Sequence, residues 1–127
     1  ISDVVSGAGR KGDAVPNIPR SSGMLAAAYR FPVTGAMDGM VRLDTTYVGG
    51  SYSLFRGTYN TWKDAYTTVN LRAGLESTDD KWAAYVYVQN LTNEVALNQY
   101  TRSSTPPYES VTSLRPRTVG VTVSYNF

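Results

Sequence analysis

The sequence predicts an all-β chain of antiparallel, up-and-down strands that forms part of a transmembrane β-barrel. Three observations carry that reading. First, the chain ends in R-P-R-T-V-G-V-T-V-S-Y-N-F, Arg115 to Phe127. There Val119, Val121, Val123, Tyr125 and Phe127 fall on one face of an extended strand, and Thr118, Gly120, Thr122, Ser124 and Asn126 on the other. Side chains alternate across a strand, so one face is apolar and the other small and polar. Lipid-facing barrel strands need that division, with aromatics at the membrane interface. Second, four earlier segments repeat the alternation. Third, the connections run short, long, short, long, as in barrels with short periplasmic turns and long extracellular loops.

Taken in order, Ile1 to Ser22 is rich in Gly, Pro and charge, and Pro16 and Pro19 break any ladder, so it reads as a loop. Gly23 to Phe31 is the first strand, with Leu25, Ala27, Tyr29 and Phe31 opposed to Met24, Ala26, Ala28 and Arg30. Pro32 to Asp38 is expected to be a short connection. Gly39 to Val48 sets Val41, Leu43, Thr45 and Tyr47 against Met40, Arg42, Asp44 and Thr46. The charges on that second face require water or partners, so it is no hydrocarbon core. Gly49 to Asp64 is a longer loop. Ala65 to Glu76 sets Thr67, Val69, Leu71, Ala73 and Leu75 against Thr68, Asn70, Arg72, Gly74 and Glu76. A tight polar turn from Ser77 to Lys81 leads to Trp82–Asn90, where Trp82, Ala84, Val86 and Val88 oppose Ala83, Tyr85, Tyr87 and Gln89. Thr92 to Leu114 is a long polar loop with Pro106 and Pro107 before the terminal strand. Keeping both apolar sets on one side predicts a hairpin with Leu75 opposite Trp82, Ala73 opposite Ala84, Leu71 opposite Val86, and Arg72 facing Tyr85.

Composition narrows the function classes. The chain has 127 residues and a net charge of +2 from 12 basic and 10 acidic side chains, with no long basic run, which gives no case for nucleic acid. It has no cysteine and no histidine, so disulfides and thiolate metal sites are excluded and the commonest metal ligand and general base are missing. No apolar run approaches the roughly 20 residues of a membrane helix. Mean hydropathy is slightly negative, but a polar lumen face hides a lipid face from such averages. Asp79-Asp80 beside Lys81 reads as a solvated turn, and no catalytic residue, cofactor or metal site is expected.

The order of these features resembles the C-terminal end of a TonB-dependent outer-membrane receptor. The likeness runs through G-D-A-V-P-N-I-P-R, A-Y-R-F, V-R-L-D-T-T-Y-V-G-G, Y-T-T-V-N-L-R-A-G-L, Y-V-Y-V-Q-N-L-T-N-E and the terminal R-P-R-T-V-G-V-T-V-S-Y-N-F. It covers roughly residues 12 to 127, and Val88 to Glu94 looks like the stretch that precedes the family's last outer loop. The resemblance implies about five C-terminal strands of a large, roughly 22-stranded barrel in the bacterial outer membrane. It implies import of a scarce ligand: an iron–siderophore complex, haem, cobalamin or an oligosaccharide. Its implied partners are the remaining barrel and plug (from the same gene product or a companion chain), the TonB complex through that plug, outer-membrane lipid and the barrel assembly machinery. Residues 1–127 are expected to be a partial barrel without a plug domain, because five strands cannot close one when the smallest membrane barrels use about eight. A soluble, Tyr-rich carbohydrate-binding module is the alternative, with Trp82, Tyr85 and Tyr87 as a stacking platform.

Candidate site residues follow from these assignments. If Phe127 ends on the periplasmic side, the two long loops and the Pro16–Pro19 segment lie outside the cell, and Tyr29, Phe31, Trp82, Tyr125 and Phe127 form an interfacial girdle. Tyr52, Phe55, Arg56, Tyr59, Trp62, Arg102 and Tyr108 are the ligand-contact candidates, as aromatics bury much area at little entropic cost and arginines attract anionic ligands. Arg42, Asp44, Asn70, Arg72 and Glu76 are expected to face the lumen, the four charged residues either as an ion-pair ladder across neighbouring strands or as a polar wall that contacts the plug or a passing substrate. By the resemblance, Val123, Tyr125 and Phe127 form the assembly signal.

Overall fold

The alternating segments become the long strands of one sheet. The computed structural model describes residues 12–55, 60–104 and 107–127, the side chains of 100–108 apart. Its strands are β1 (Ser22–Thr34), β2 (Met37–Val48), β3 (Ser51–Tyr52), β4 (Trp62–Lys63), β5 (Tyr66–Ser77), β6 (Trp82–Gln89), β7 (Leu97–Ser104), β8 (Pro107–Ser113) and β9 (Thr118–Tyr125). The five long segments pair in the order β1-β2-β5-β6-β9, each beside its neighbour in the up-and-down series. β3 pairs with β4, and β7 with β8, in two separate small ladders. The chain is therefore all-β and antiparallel, as expected.

Three local expectations are corrected. Pro32 lies inside β1, and only Gly35 and Ala36 form the connection to β2. Pro32 is the third residue from the end of β1, close to the two-residue turn, where the loss of one ladder N–H interrupts little of the strand. The two long loops are not featureless, since β3–β4 and β7–β8 occupy them. The β5–β6 register is shifted by two residues from the expected one. Leu71 pairs with Val88, Arg72 with Tyr87, Ala73 with Val86, and Leu75 with Ala84. A shift of two preserves both faces, so alternation alone does not distinguish the registers. Turn chemistry does. Asp80 takes a left-handed φ of 56°, its N–H donates to the Ser77 carbonyl at 3.1 Å, and the Ser77 hydroxyl donates to the Asp79 carboxylate.

Contacts within the chain divide it into two units. The sheet unit comprises Gly23–Thr46, Thr67–Glu94 and Arg115–Phe127. Across β5, β6 and β9 its apolar residues align in rows: Leu71, Val88 and Val119; Ala73, Val86 and Val121; Leu75, Ala84 and Val123; with Trp82 beside Tyr125. Val121 and Val123 stay 67% and 71% exposed, and Tyr85, at 9%, is the single buried apolar side chain among the described residues. A soluble sandwich would bury such rows against a second sheet. Here the rows form a continuous apolar face, and the neighbouring aromatics Tyr125 and Phe127 meet edge-on at 5.3 Å.

The stretch singled out at Val88–Glu94 has a structural task in this unit. Asn90 is 5% exposed and adopts a left-handed φ of 52°. Its side-chain amide donates to the carbonyls of Glu94 and Arg115, both at 2.9 Å, and its Oδ1 accepts the Glu94 N–H at 2.8 Å. Its own N–H donates to Asn70 Oδ1 at 3.0 Å. Asn93 Oδ1 accepts the Arg117 N–H at 3.0 Å. These bonds staple the ends of β5 and β6 to the start of β9, and among the described residues no buried side-chain polar atom is left without a partner.

The loop unit comprises Ile1–Ser22, Tyr47–Tyr66 and Val95–Leu114, described from residue 12. Its buried side chains are polar: Ser51, Ser53 and Lys63. Ser53 closes the β3–β4 hairpin by exchanging backbone and hydroxyl bonds with Thr61 at 2.8–2.9 Å. Gly49 donates to the Ser21 carbonyl at 2.7 Å, and Asn17 to the Tyr52 carbonyl at 2.7 Å, which docks the N-terminal segment on the hairpin.

Candidate functional site

Two surfaces gather the sequence-selected residues, one in each unit. In the loop unit β3 and β4 bring Tyr52 opposite Trp62, and the rings meet edge-on with centroids 4.8 Å apart. Trp62 lies against Gly50, where a β-carbon would collide with the indole. Its Nε1 donates to Asp64 Oδ1 at 3.0 Å, and the Arg20 guanidinium lies 5.8 Å from the ring centroid. Both rings keep accessible surface, which a ligand-contact role requires. Phe55 is half-buried beyond β3. Arg56 and Tyr59 lie outside the described residues, and so do the side chains of Arg102 and Tyr108, whose backbones belong to β7 and β8.

Lys63, which sequence reasoning passed over, is the polar centre of this unit. It is 7% exposed, and its ammonium donates to Asn17 Oδ1 at 3.0 Å and to the Asn98 carbonyl at 2.9 Å. Three segments distant in sequence are thus clasped by one cation beside a recess of about 140 Å³ lined also by Ser51 and Tyr66. Burial lowers the Lys63 pKa from its usual 10.5. No local pattern marks this residue, because its burial is produced by segments far away in the chain.

In the sheet unit the polar face opposite the apolar rows carries the second surface. The Tyr85 hydroxyl donates to Glu76, which also pairs with Arg30 Nη2 at 2.9 Å. The Arg72 guanidinium stacks over the Tyr85 ring at 3.7 Å. Arg30 on β1 reaches Glu76 on β5 past the intervening β2. Arg72 and Glu76 therefore share the polar face with Tyr85 and Arg30, and they are linked through those two side chains. A mid-strand glycine marks the site: the Tyr85 ring lies over Gly74 of β5, where a β-carbon has no room.

The remaining candidates are rearranged. Arg42 pairs with Asp44 along the same strand through three hydrogen bonds of 2.8–3.1 Å, so that pair is not a cross-strand ladder. Residues two apart share a face, and the arginine side chain is long enough to fold back on its neighbour. Asn70 serves the Asn90 corner. Asp44, Asn70, Arg72, Tyr87, Gln89 and Thr122 line an open recess of about 390 Å³ on the polar face. Trp82 falls on the apolar face and Tyr85 and Tyr87 on the polar one, so the three rings make no common stacking platform. Val123, Tyr125 and Phe127 form an exposed apolar row on β9 and its extension.

Comparison with known families gives one match. The family described as TonB dependent receptor-like, beta-barrel, matches residues 2–91. No curated protein and no solved structure matches the chain.

Proposed function

The chain belongs to the family of TonB-dependent receptor β-barrels, and from that premise we propose that it supplies C-terminal wall strands of an outer-membrane transporter. Its apolar rows face lipid, its polar face lines the lumen beside the plug, and its loop unit faces the exterior. There Tyr52, Phe55, Trp62 and, through their charge, Arg56 and Arg102 contact an imported ligand of the iron–siderophore, haem, cobalamin or oligosaccharide kind. Residues 1–127 act as one part of the barrel, the plug and TonB contact coming from elsewhere in the receptor. Transport, not catalysis, is the activity. One observation supports this above the others: a three-strand apolar face exposed on one side, with Arg30, Arg72 and Glu76 all on the other. Such segregation suits hydrocarbon outside and water inside.

Single-cysteine variants of the inserted receptor test the reading. Val86→Cys and Val121→Cys should resist a water-soluble maleimide and react with a lipid-partitioning one. Arg72→Cys should react with the water-soluble reagent once the lumen is wetted. Rapid labelling of Val86→Cys from water would overturn the wall assignment. For the loops, Tyr52→Ala with Trp62→Ala should weaken ligand binding while leaving the inserted amount unchanged; unaltered affinity would confine the two rings to a structural role.

A further inference from the structure

We propose that the short-turn end of the sheet unit carries a binding site for the head group of a glycerophospholipid bearing a primary ammonium, that is, a phosphatidylethanolamine. The proposal rests on the wall reading above. A recess of about 510 Å³ opens there, lined by Met37, Thr78, Asp79, Lys81, Trp82 and Tyr125 among others. Its apolar and polar linings are divided by depth. Trp82 and Tyr125 are paired neighbours in the last row of the apolar face. Met37, four residues before Val41 on β2, lies on the corresponding side of that strand. Thr78, Asp79 and Lys81 belong to the turn that follows β5. The recess therefore passes from a face suited to hydrocarbon to a rim of opposite charges.

That rim is held in place by its own bonds. The Thr78 N–H donates to the Ala36 carbonyl at 3.1 Å, joining the two short turns. The Asn126 N–H donates to the Lys81 carbonyl at 2.7 Å, and its side-chain amide to the Asp80 carbonyl at 2.9 Å, joining the second turn to the end of β9. The cavity walls are thereby fixed before any ligand arrives.

The charges at the rim complement a zwitterion. Lys81 and Asp79 pair with each other at 3.0 Å while both remain more than half exposed. An exposed pair of this kind contributes little by itself, so its exchange for a second pair of charges meets little resistance. A head-group phosphate accepts from the Lys81 ammonium and the Thr78 hydroxyl, and a primary ammonium donates to the Asp79 carboxylate. Hydrogen bonding from Ser77, then from Lys81, holds Asp79 at a pKa of about 2, so the acceptor stays ionised at any pH a membrane meets. A choline head group has no N–H to give this carboxylate, and a glycerol head group has no cation. Trp82 and Tyr125 present amphipathic rings where the ester region lies, the depth such side chains occupy in membranes.

The test uses the receptor that carries this chain, reconstituted in vesicles of equimolar phosphatidylethanolamine, phosphatidylcholine and phosphatidylglycerol, with retained lipid counted by native mass spectrometry. Phosphatidylethanolamine should be retained over the other two by at least about tenfold, the low end for one hydrogen bond to a charged group. Asp79→Asn should equalise phosphatidylethanolamine and phosphatidylcholine, while Lys81→Ala should lower retention of all three. Soluble phosphoethanolamine should fail to displace the lipid, because it lacks the part that meets the aromatics; efficient displacement would overturn the lipid assignment. Heat-modifiable migration reports insertion independently. Normal insertion with equal retention of the three lipids, or an unchanged preference in Asp79→Asn, overturns this proposal alone. Failure to insert in any vesicle overturns it together with the wall reading.

Discussion

The sheet unit and the loop unit solve the same problem in opposite ways. Each must hold its strands together without an apolar core of its own. In the sheet unit long ladders align three apolar rows and leave them outward, so the order comes from backbone pairing and the surrounding medium covers the side chains. In the loop unit β7 and β8 form one ladder, but β3 and β4 are only two residues long, and their order comes from side chains that reach backbone atoms: Asn17, Ser53, Asn60 and Lys63. Exposure of a valine therefore means different things in the two units. Val86 is exposed where lipid is expected, and Val95 is exposed where water is.

The strongest way to break that contrast is to place the same charge at both positions. Val86→Arg should reduce the stability of the inserted barrel by roughly 2–4 kcal/mol, the cost of a cation near mid-membrane. Val95→Arg, at a residue 82% exposed in the loop unit, should stay within about 0.5 kcal/mol, as surface substitutions do. Urea titration of the refolded receptor in vesicles measures both. Equal effects would mean that the two units face the same solvent.

A second prediction concerns the corner that ends β6. Asn90→Ala removes a buried side chain that bonds three backbone groups and places a β-branched-free but L-configured alanine at a left-handed φ. The combined loss should be roughly 2–3 kcal/mol. Asn90→Gly restores the backbone freedom and should recover part of it. Hydrogen exchange of the Glu94 amide, which donates to Asn90 Oδ1, should quicken in both variants, more in alanine than in glycine. Slow exchange in both would remove the corner from the sheet unit's support.

How much of this was legible in the sequence follows from the same contrast. The five long strands and their faces were, because a period of two with apolar residues on one side is a local signal that a barrel wall obeys throughout. The β5–β6 register was not, since Leu71 meets apolar partners equally well in the predicted and observed pairings; Ser77, Asp79 and Asp80 decide it through turn bonds. The Pro32 boundary failed because a proline third from a strand end removes one ladder donor and does not stop the strand. β3 and β4 are too short to show any period. At the sites, Tyr52 and Trp62, two of the loop aromatics named from the sequence, meet edge-on, whereas Lys63 was missed because its burial comes from segments tens of residues distant, and no spacing rule reports that.

The third prediction sharpens the loop unit. Lys63→Met fills similar space but leaves Asn17 Oδ1 and the Asn98 carbonyl without their donor. The loss should be about 1–2 kcal/mol, local to this unit. Limited proteolysis should then cut the loop segments faster while the heat-modifiable sheet persists. If the sheet melts with the loops, the two units do not behave as separate supports.

The smallest effect is the response to pH, and here the units should respond with the same sign in two separate windows. Lys63 has a folded-state pKa below its usual 10.5 because burial disfavours the ammonium. Between the lowered value and 10.5 the unfolded chain holds a proton that the folded chain has released, so loop-unit stability rises with pH across that alkaline window. Asp79 has the same sign in the acid range. Its pKa falls from 3.8 to about 2, first through the Ser77 hydroxyl and then through Lys81. Its contribution is fully present above 3.8 and is lost as pH falls towards 2, because the unfolded chain takes up the proton first. Asp79 is exposed, so solvent screening keeps the gain small. Carboxyl and Cε chemical shifts of the two residues, followed by NMR in micelles, give both midpoints directly. Ser77→Ala should move the Asp79 midpoint back towards 3.8 and leave Lys63 where it was. A midpoint unmoved by that substitution would show that the Ser77 hydroxyl is not what orders the short turn.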